Sequence, residues 1–154
     1  MNIYDVFKKL DINYKEVSHK AVFTVEEAKF IKESIEGVGC KNLFLTDKKN
    51  HYFLLVLEEN KRADIKSIAK IAGVSSLSFA SDDALFKILG VRPGSVTPLG
   101  IINDRECLVN LFIDRNLCNK KILVHPNVNT KTVSIECSDL IKFIDYLNHK
   151  YIFI

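Results

Sequence analysis

Several common signatures are missing from this 154-residue chain. No two cysteines have CxxC spacing and no histidine lies at zinc-finger distance from one, so the zinc-ribbon and finger classes fall away. Cys40, Cys107, Cys118 and Cys137 are expected to be reduced structural thiols, because a free cysteine packs as a small hydrophobe. The opening "MNIYDVFKKL" is amphipathic, unlike a signal peptide with its charged start and apolar centre. No apolar run nears the ~20 residues that span a bilayer. A cytoplasmic protein with no membrane partner is therefore expected. Charge is nearly balanced, at +3 from 22 basic and 19 acidic residues. That excludes an unstructured polycationic arm and leaves room for a local basic patch. GxSxG, HExxH, Walker and GxGxxG patterns are absent. No metal site and no cofactor is expected.

What is present suits one ordinary domain, residues 1–154. Hydrophobic residues make up 47% and charged residues 27%, enough to bury a core without staples. No repeat, low-complexity stretch or linker interrupts the chain. Asn2 caps a helix carrying Ile3, Val6, Phe7 and Leu10 at helical spacing. "YKEVSH" reads as a short strand. "TVEEAKFIKESIEG" reads as a helix with a Thr24/Glu27 capping box and Gly37 as its stop. "KNLFLTDKKNHYFLLVLE" reads as a hairpin whose second arm, apolar from Tyr52 to Leu57, is expected to be a central strand covered on both faces. "RADIKSIAKIAG" and "SDDALFKILG" are helices stopped by Gly73 and Gly90, the second capped by Ser81 with acids in its first turn. "SLSFA", "ECLVNLFID", "KKILVHP" and "TVSIE" are strand candidates. Ser138 is expected to cap a last helix, "SDLIKFIDYLNHK". Strands and helices intersperse without strict alternation, so the class is α+β with a mixed sheet.

The densest feature is "GVRPGSVTPLGIIND", residues 90–104. It holds two of the three prolines and three of the six glycines. Pro93 and Gly94 suit the two central places of a type II turn. Gly94 and Pro98 lie four apart, and backbone amides in such a loop can face a carbonyl or phosphate. Residue types alone favour a structural helix-to-strand connection, with the apolar run after it anchoring the loop in the sheet. His125 ends an apolar strand, where a polar ring is poorly placed unless it faces a cleft. Lys41 starts the strand "KNLFL", with Asn42 alternating to its other side. His19 lies between a strand and a helix; His51 and His149 are expected at the surface.

Taken together and in order, "HKAVFTVEEA", "KNLFLTD", "YFLLVL", "LSFASDDAL…LGVRPGSVTPLGIIND" and "VHPNVNT" resemble the YbaK/ProX family of aminoacyl-tRNA deacylases, from about residue 2 to residue 148. "SVTPLGIIND" and Lys41–Asn42 look closest to its free-standing prolyl-tRNA editing branch. The resemblance implies a mostly antiparallel central sheet surrounded by helices. It implies hydrolysis of alanine wrongly esterified to tRNA(Pro), with water as nucleophile. It carries catalytic roles to Lys41, Asn42 and His125. It carries substrate contacts to His19, Gly94, Ser95, Val96, Thr97, Pro98, Gly100 and Asp104, with the amides of 94–97 and 100 as oxyanion donors and Val22 and Phe23 as pocket walls. Thr97 stands where the synthetase-borne relatives often have glycine. The mischarged tRNA is the implied partner, and a prolyl-tRNA synthetase or elongation factor is a candidate source of further affinity. A monomer and a homodimer are both compatible with the sequence. Two rivals stay open: a cysteinyl-tRNA(Pro) deacylase of the same fold, and a non-catalytic tRNA- or synthetase-binding module.

Overall fold

The structure is a computed structural model that describes residues 1–21 and 25–154, and of residues 25–27 the backbone only. The Thr24/Glu27 capping box and the wall residues Val22 and Phe23 lie outside the described residues. The described residues form five α-helices: α1 (Ile3–Lys9), α2 (Val25–Ser34), α3 (Ile65–Ala72), α4 (Asp82–Leu89) and α5 (Cys137–Tyr146). The strands are β1 (Lys15–Ser18), β2 (Val38–Thr46), β3 (Tyr52–Glu58), β4 (Ser78–Phe79), β5 (Val109–Ile113), β6 (Lys121–Val124), β7 (Lys131–Glu136) and β8 (Tyr151–Phe153). They form one sheet in the order β1-β7-β6-β2-β3-β5-β8, with β4 paired to β2. The pairs β1–β7, β7–β6, β2–β3 and β2–β4 are antiparallel, and β6–β2, β3–β5 and β5–β8 are parallel.

The expected hairpin is β2–β3, with Lys41 opposite Leu57 and Asn42 opposite Val56. Leu54 and Val56 enter the main core with Phe7, Leu89 and Phe143, while Phe53, Leu55 and Leu57 pack with Ile68 of α3. An unbroken apolar run is what a strand covered on both faces requires. Helix ends follow local chemistry. Asn2 and Asp5 satisfy each other's backbone amides at the start of α1, and Asp64 and Ser81 cap α3 and α4. Gly73 (φ 75°) and Gly90 (φ 68°) stop α3 and α4 in the left-handed region that favours glycine.

Four sequence expectations need correction. Helix α5 begins one residue before Ser138; its cap is Glu136, with no side-chain hydrogen bond. It also ends at Tyr146, because Asn148 turns left-handed (φ 62°) and the chain leaves as the short strand β8. The apolar run after Pro98 is a 3-10 helix, Pro98–Asn103, and not a strand. It reaches the core through Leu99 and Ile101, and Asn103 Nδ2 donates to the Leu89 carbonyl at the end of α4 (2.8 Å). His149, finally, is buried beside Asp104.

That pair locks the C-terminal segment to the turn after the 3-10 helix. The Asp104 carboxylate accepts from the Leu108 amide (3.1 Å), the Val109 amide (2.8 Å) and His149 Nε2 (3.0 Å). Burial pushes the Asp104 carboxyl up, but the His149 and amide bonds outweigh it and hold it below the usual range. Such a group adds stability above the unfolded carboxyl's range and loses it as pH falls through the folded value. Asp104→Ala is expected to cost about 2–4 kcal/mol at neutral pH, since it strands buried donors. Urea unfolding measures this; an unchanged midpoint contradicts it.

Candidate functional site

Strands β2 and β6 run parallel, yet they pair only at Val38–Ile122 and Gly39–Leu123. Beyond that point they part. The Gly94–Pro98 loop fills the opening, bonding one side chain of β2 and one backbone carbonyl after β6. Asn42 Nδ2 of β2 donates to the Val96 carbonyl (3.2 Å). Thr97 Oγ1 donates to the carbonyl of His125, the residue after β6 (2.7 Å). The loop thus enters the fork between the strands and ties to both.

The loop's own shape follows from its residues. The Ser95 amide donates to the Arg92 carbonyl (3.0 Å), closing the turn, and Gly94 at φ 89° takes the left-handed place expected of it. Thr97, fully buried, also accepts from the Leu99 amide (3.3 Å) and so caps the 3-10 helix that Pro98 starts. A glycine at position 97 would supply neither bond. Gly100 donates to the Thr97 carbonyl (3.1 Å), and a Cβ there would stand 3.2 Å from Leu89. The amides of Ser95 and Gly100 are therefore already used, whereas that of Val96 has no partner among the described residues.

Above the fork lies a cavity of about 130 Å³ between the sheet and α2. Ala28, Ile31 and Lys32 of α2 form its roof, Gly39 and Leu123 its floor, and His125, Thr132 and Glu59 its rim, with Cys40, Asn42 and Val124 at the fork. The loop 94–98, Gly100 and Asp104 do not line this cavity; the loop holds two residues that do, Asn42 and His125. The Oδ1 atom of Asn42 is buried without a partner.

His125 is set in one orientation. Its Nδ1 lies 2.8 Å from the Lys131 carbonyl, which only accepts, so Nδ1 carries the proton and Nε2 keeps a lone pair. Burial pushes its pKa down, the Lys131 carbonyl pushes it back up, and His19 pushes it down again; the result lies below the ordinary histidine value. His19, with its ring 6.3 Å from that of His125, is drawn in by Thr132 Oγ1 (2.8 Å) and the Lys20 carbonyl (2.7 Å). Lys41 is the fourth residue of β2 and not, as the sequence suggested, its first. By alternation along β2 it shares the face of Gly39, and it is not among the described residues that line the cavity. Asn42 projects to the opposite face, as alternation requires.

Sequence reasoning overlooked Lys32, Cys40, Glu59, Leu123 and Thr132 as lining residues, since nothing local marks them. Cys40 is not a nucleophile candidate: burial, the first cause, pushes its thiol up to about 12. Among the described residues no group of three or more His, Cys, Asp and Glu side chains is placed to hold a metal ion. No described helix is long and apolar enough to cross a membrane.

An NMR titration of the ring checks this electrostatic picture. His125 is expected to protonate below the ordinary histidine range, with its neutral form carrying the proton on Nδ1. A transition at or above that range contradicts it.

Comparison with known proteins identifies the family. The model of the aminoacyl-tRNA editing domain matches residues 19–143. The chain is 39% identical over 146 residues to the "Prolyl-tRNA editing protein ProX" of Acetoanaerobium sticklandii, covering 90% of this chain and 88% of that one. It is 34% identical to the "Prolyl-tRNA synthetase associated domain-containing protein 1" of Danio rerio, covering 94% and 80%. The crystal structure of a hypothetical protein, APE2540, shares the fold at a TM-score of 0.74 and 17% identity, over 97% of this chain and 95% of that one.

Proposed function

Because the chain belongs to the aminoacyl-tRNA editing domain family, we propose that it is a deacylase that hydrolyses the ester of alanine mischarged on tRNA(Pro). The observation that carries this reading is the His125 ring, held toward its neutral form by burial, with its Nε2 without a partner among the described residues, at the rim of a small cavity.

The need for such an enzyme follows from pocket physics. A synthetase site shaped for proline rejects a smaller amino acid by only ~1–3 kcal/mol, because few contacts are lost. A second site that admits the small side chain and excludes the proline ring completes a double sieve. A cavity of about 130 Å³ under α2 suits that role.

In the proposed reaction, water adds to the ester carbonyl carbon, the carbon–oxygen bond to the ribose breaks, and the ribose oxygen takes up the proton. Free alanine and intact tRNA leave. His125 Nε2 accepts a hydrogen bond from the water or the neighbouring ribose hydroxyl and so orients it. The Lys41 ammonium stabilises the charge that develops on the carbonyl oxygen. Asn42, pinned to Val96, keeps the loop in register with the strand. His19 and Thr132 hold the rim against which the terminal adenosine rests.

The test is release of amino acid from tRNA(Pro) charged with alanine, cysteine or proline. Rapid alanine release with proline spared is expected; cysteine release in preference to alanine overturns the proposed specificity, and no release from any ester overturns the reaction. Lys41→Ala and His125→Ala are each expected to lower kcat/KM by roughly 10²-fold or more, the scale of a lost transition-state donor or acid–base group. In the wild type, kcat/KM is expected to fall with acid only below the ordinary histidine range, because His125 must be neutral and its pKa is depressed. A fall that begins above that range contradicts the role given to His125.

A further inference from the structure

The cavity holds one carboxylate among its described lining residues, Glu59, and the reaction above leaves it without a task. Its position is set by the fold. The Glu59 amide donates to the Gly39 carbonyl (3.0 Å), which extends the β2–β3 ladder by one rung. Its side chain then lies over Gly39: a Cβ built on residue 39 would stand 2.6 Å from the Glu59 carboxyl carbon. The absence of a side chain at Gly39 is what lets the carboxylate settle against the cavity floor. Lys32 of α2 closes over it as an ion pair, and the two side chains are 37% and 31% exposed.

An aminoacyl ester brings a matching group. Its α-amino group, a primary amine, is a cation when protonated. Of the other titratable lining residues, His125 is held toward neutral by burial and Cys40 is pushed up to about 12. Glu59 and Lys32 form the one ion pair among the described lining residues, and an ion pair this exposed contributes little. Replacing the Lys32 ammonium by the substrate's ammonium leaves the charge of the cavity unchanged.

We infer that Glu59 receives the α-ammonium group of the aminoacyl ester, displacing Lys32, and so orients the ester carbonyl toward Lys41 and His125. Glu59 is then a positioning residue. This inference rests on the deacylase reading.

The experiment compares tRNA(Pro) charged with alanine and with N-acetylalanine, on the full chain and on Glu59→Gln. For the wild type, acetylation is expected to lower kcat/KM roughly tenfold, the order of one charge-assisted hydrogen bond. Glu59→Gln is expected to hydrolyse the free-amine ester roughly tenfold more slowly and to show no further loss on acetylation, while Glu59→Asp keeps the acetylation penalty. An equal penalty in wild type and Glu59→Gln, or none in the wild type, overturns the inference. If the wild type cleaves neither ester, the deacylase reading itself fails, and titration with L-alaninamide followed by amide NMR decides the subsite alone. Shifts at Gly39 and Glu59 that vanish in Glu59→Gln support it; shifts that persist in the variant, or none in the wild type, overturn it.

Discussion

Two parallel strands that pair for two residues and then separate leave an opening that the sheet itself does not fill. In this fold the opening is filled by one loop. The Val96 carbonyl accepts from the Asn42 side-chain amide, and the Thr97 hydroxyl donates to the His125 carbonyl. Both bonds end on residues that line the cavity. The same threonine caps the 3-10 helix behind the loop, and that helix is pinned to α4 through Asn103. Position in the site is therefore inherited from the core through a short chain of side-chain-to-backbone hydrogen bonds. Ligands commonly bind where strands of a sheet diverge, and here the divergence is propped open by the chain itself.

Burial does the electrical work around that fork. It keeps His125 toward the neutral form, and the Lys131 carbonyl decides which nitrogen keeps the proton. It also quiets Cys40, which lines the cavity yet stays protonated. The charged groups stand at the edge, where water can still reach them: Lys41 on β2, and the Lys32–Glu59 pair between α2 and the end of β3. A neutral base within reach of cationic and anionic rims suits an ester whose carbonyl becomes negative while its amine stays positive.

Much of this was legible in the residues. The β2–β3 hairpin, the two-faced strand β3, the caps at Asn2 and Ser81 and the stops at Gly73 and Gly90 all rest on local rules, and the structure follows them. The turn at Pro93–Gly94 was equally plain. What local rules do not carry is where separate segments meet. "LGII" is apolar enough for a strand, but Thr97 and Pro98 start a 3-10 helix before any ladder can form. The burial of His149 depends on Asp104, which is 45 residues away. Glu59 and Lys32 have no local mark, because their meeting depends on α2 crossing the sheet above a glycine. The resemblance of five stretches to one family drew Lys41, Asn42 and His125 together; the geometry adds that the loop supports the cavity from behind instead of lining it.

The central claim is that the two loop bonds act as one device. A double-mutant cycle on Asn42→Ala and Thr97→Val, read as kcat/KM for alanine release from tRNA(Pro), tests it most directly. Each variant alone is expected to lose most of the activity, and the pair to lose little more, with a coupling of about 1 kcal/mol or above as found for residues sharing one network. Additive losses, or single variants that hydrolyse at the wild-type rate while folded, would contradict the account.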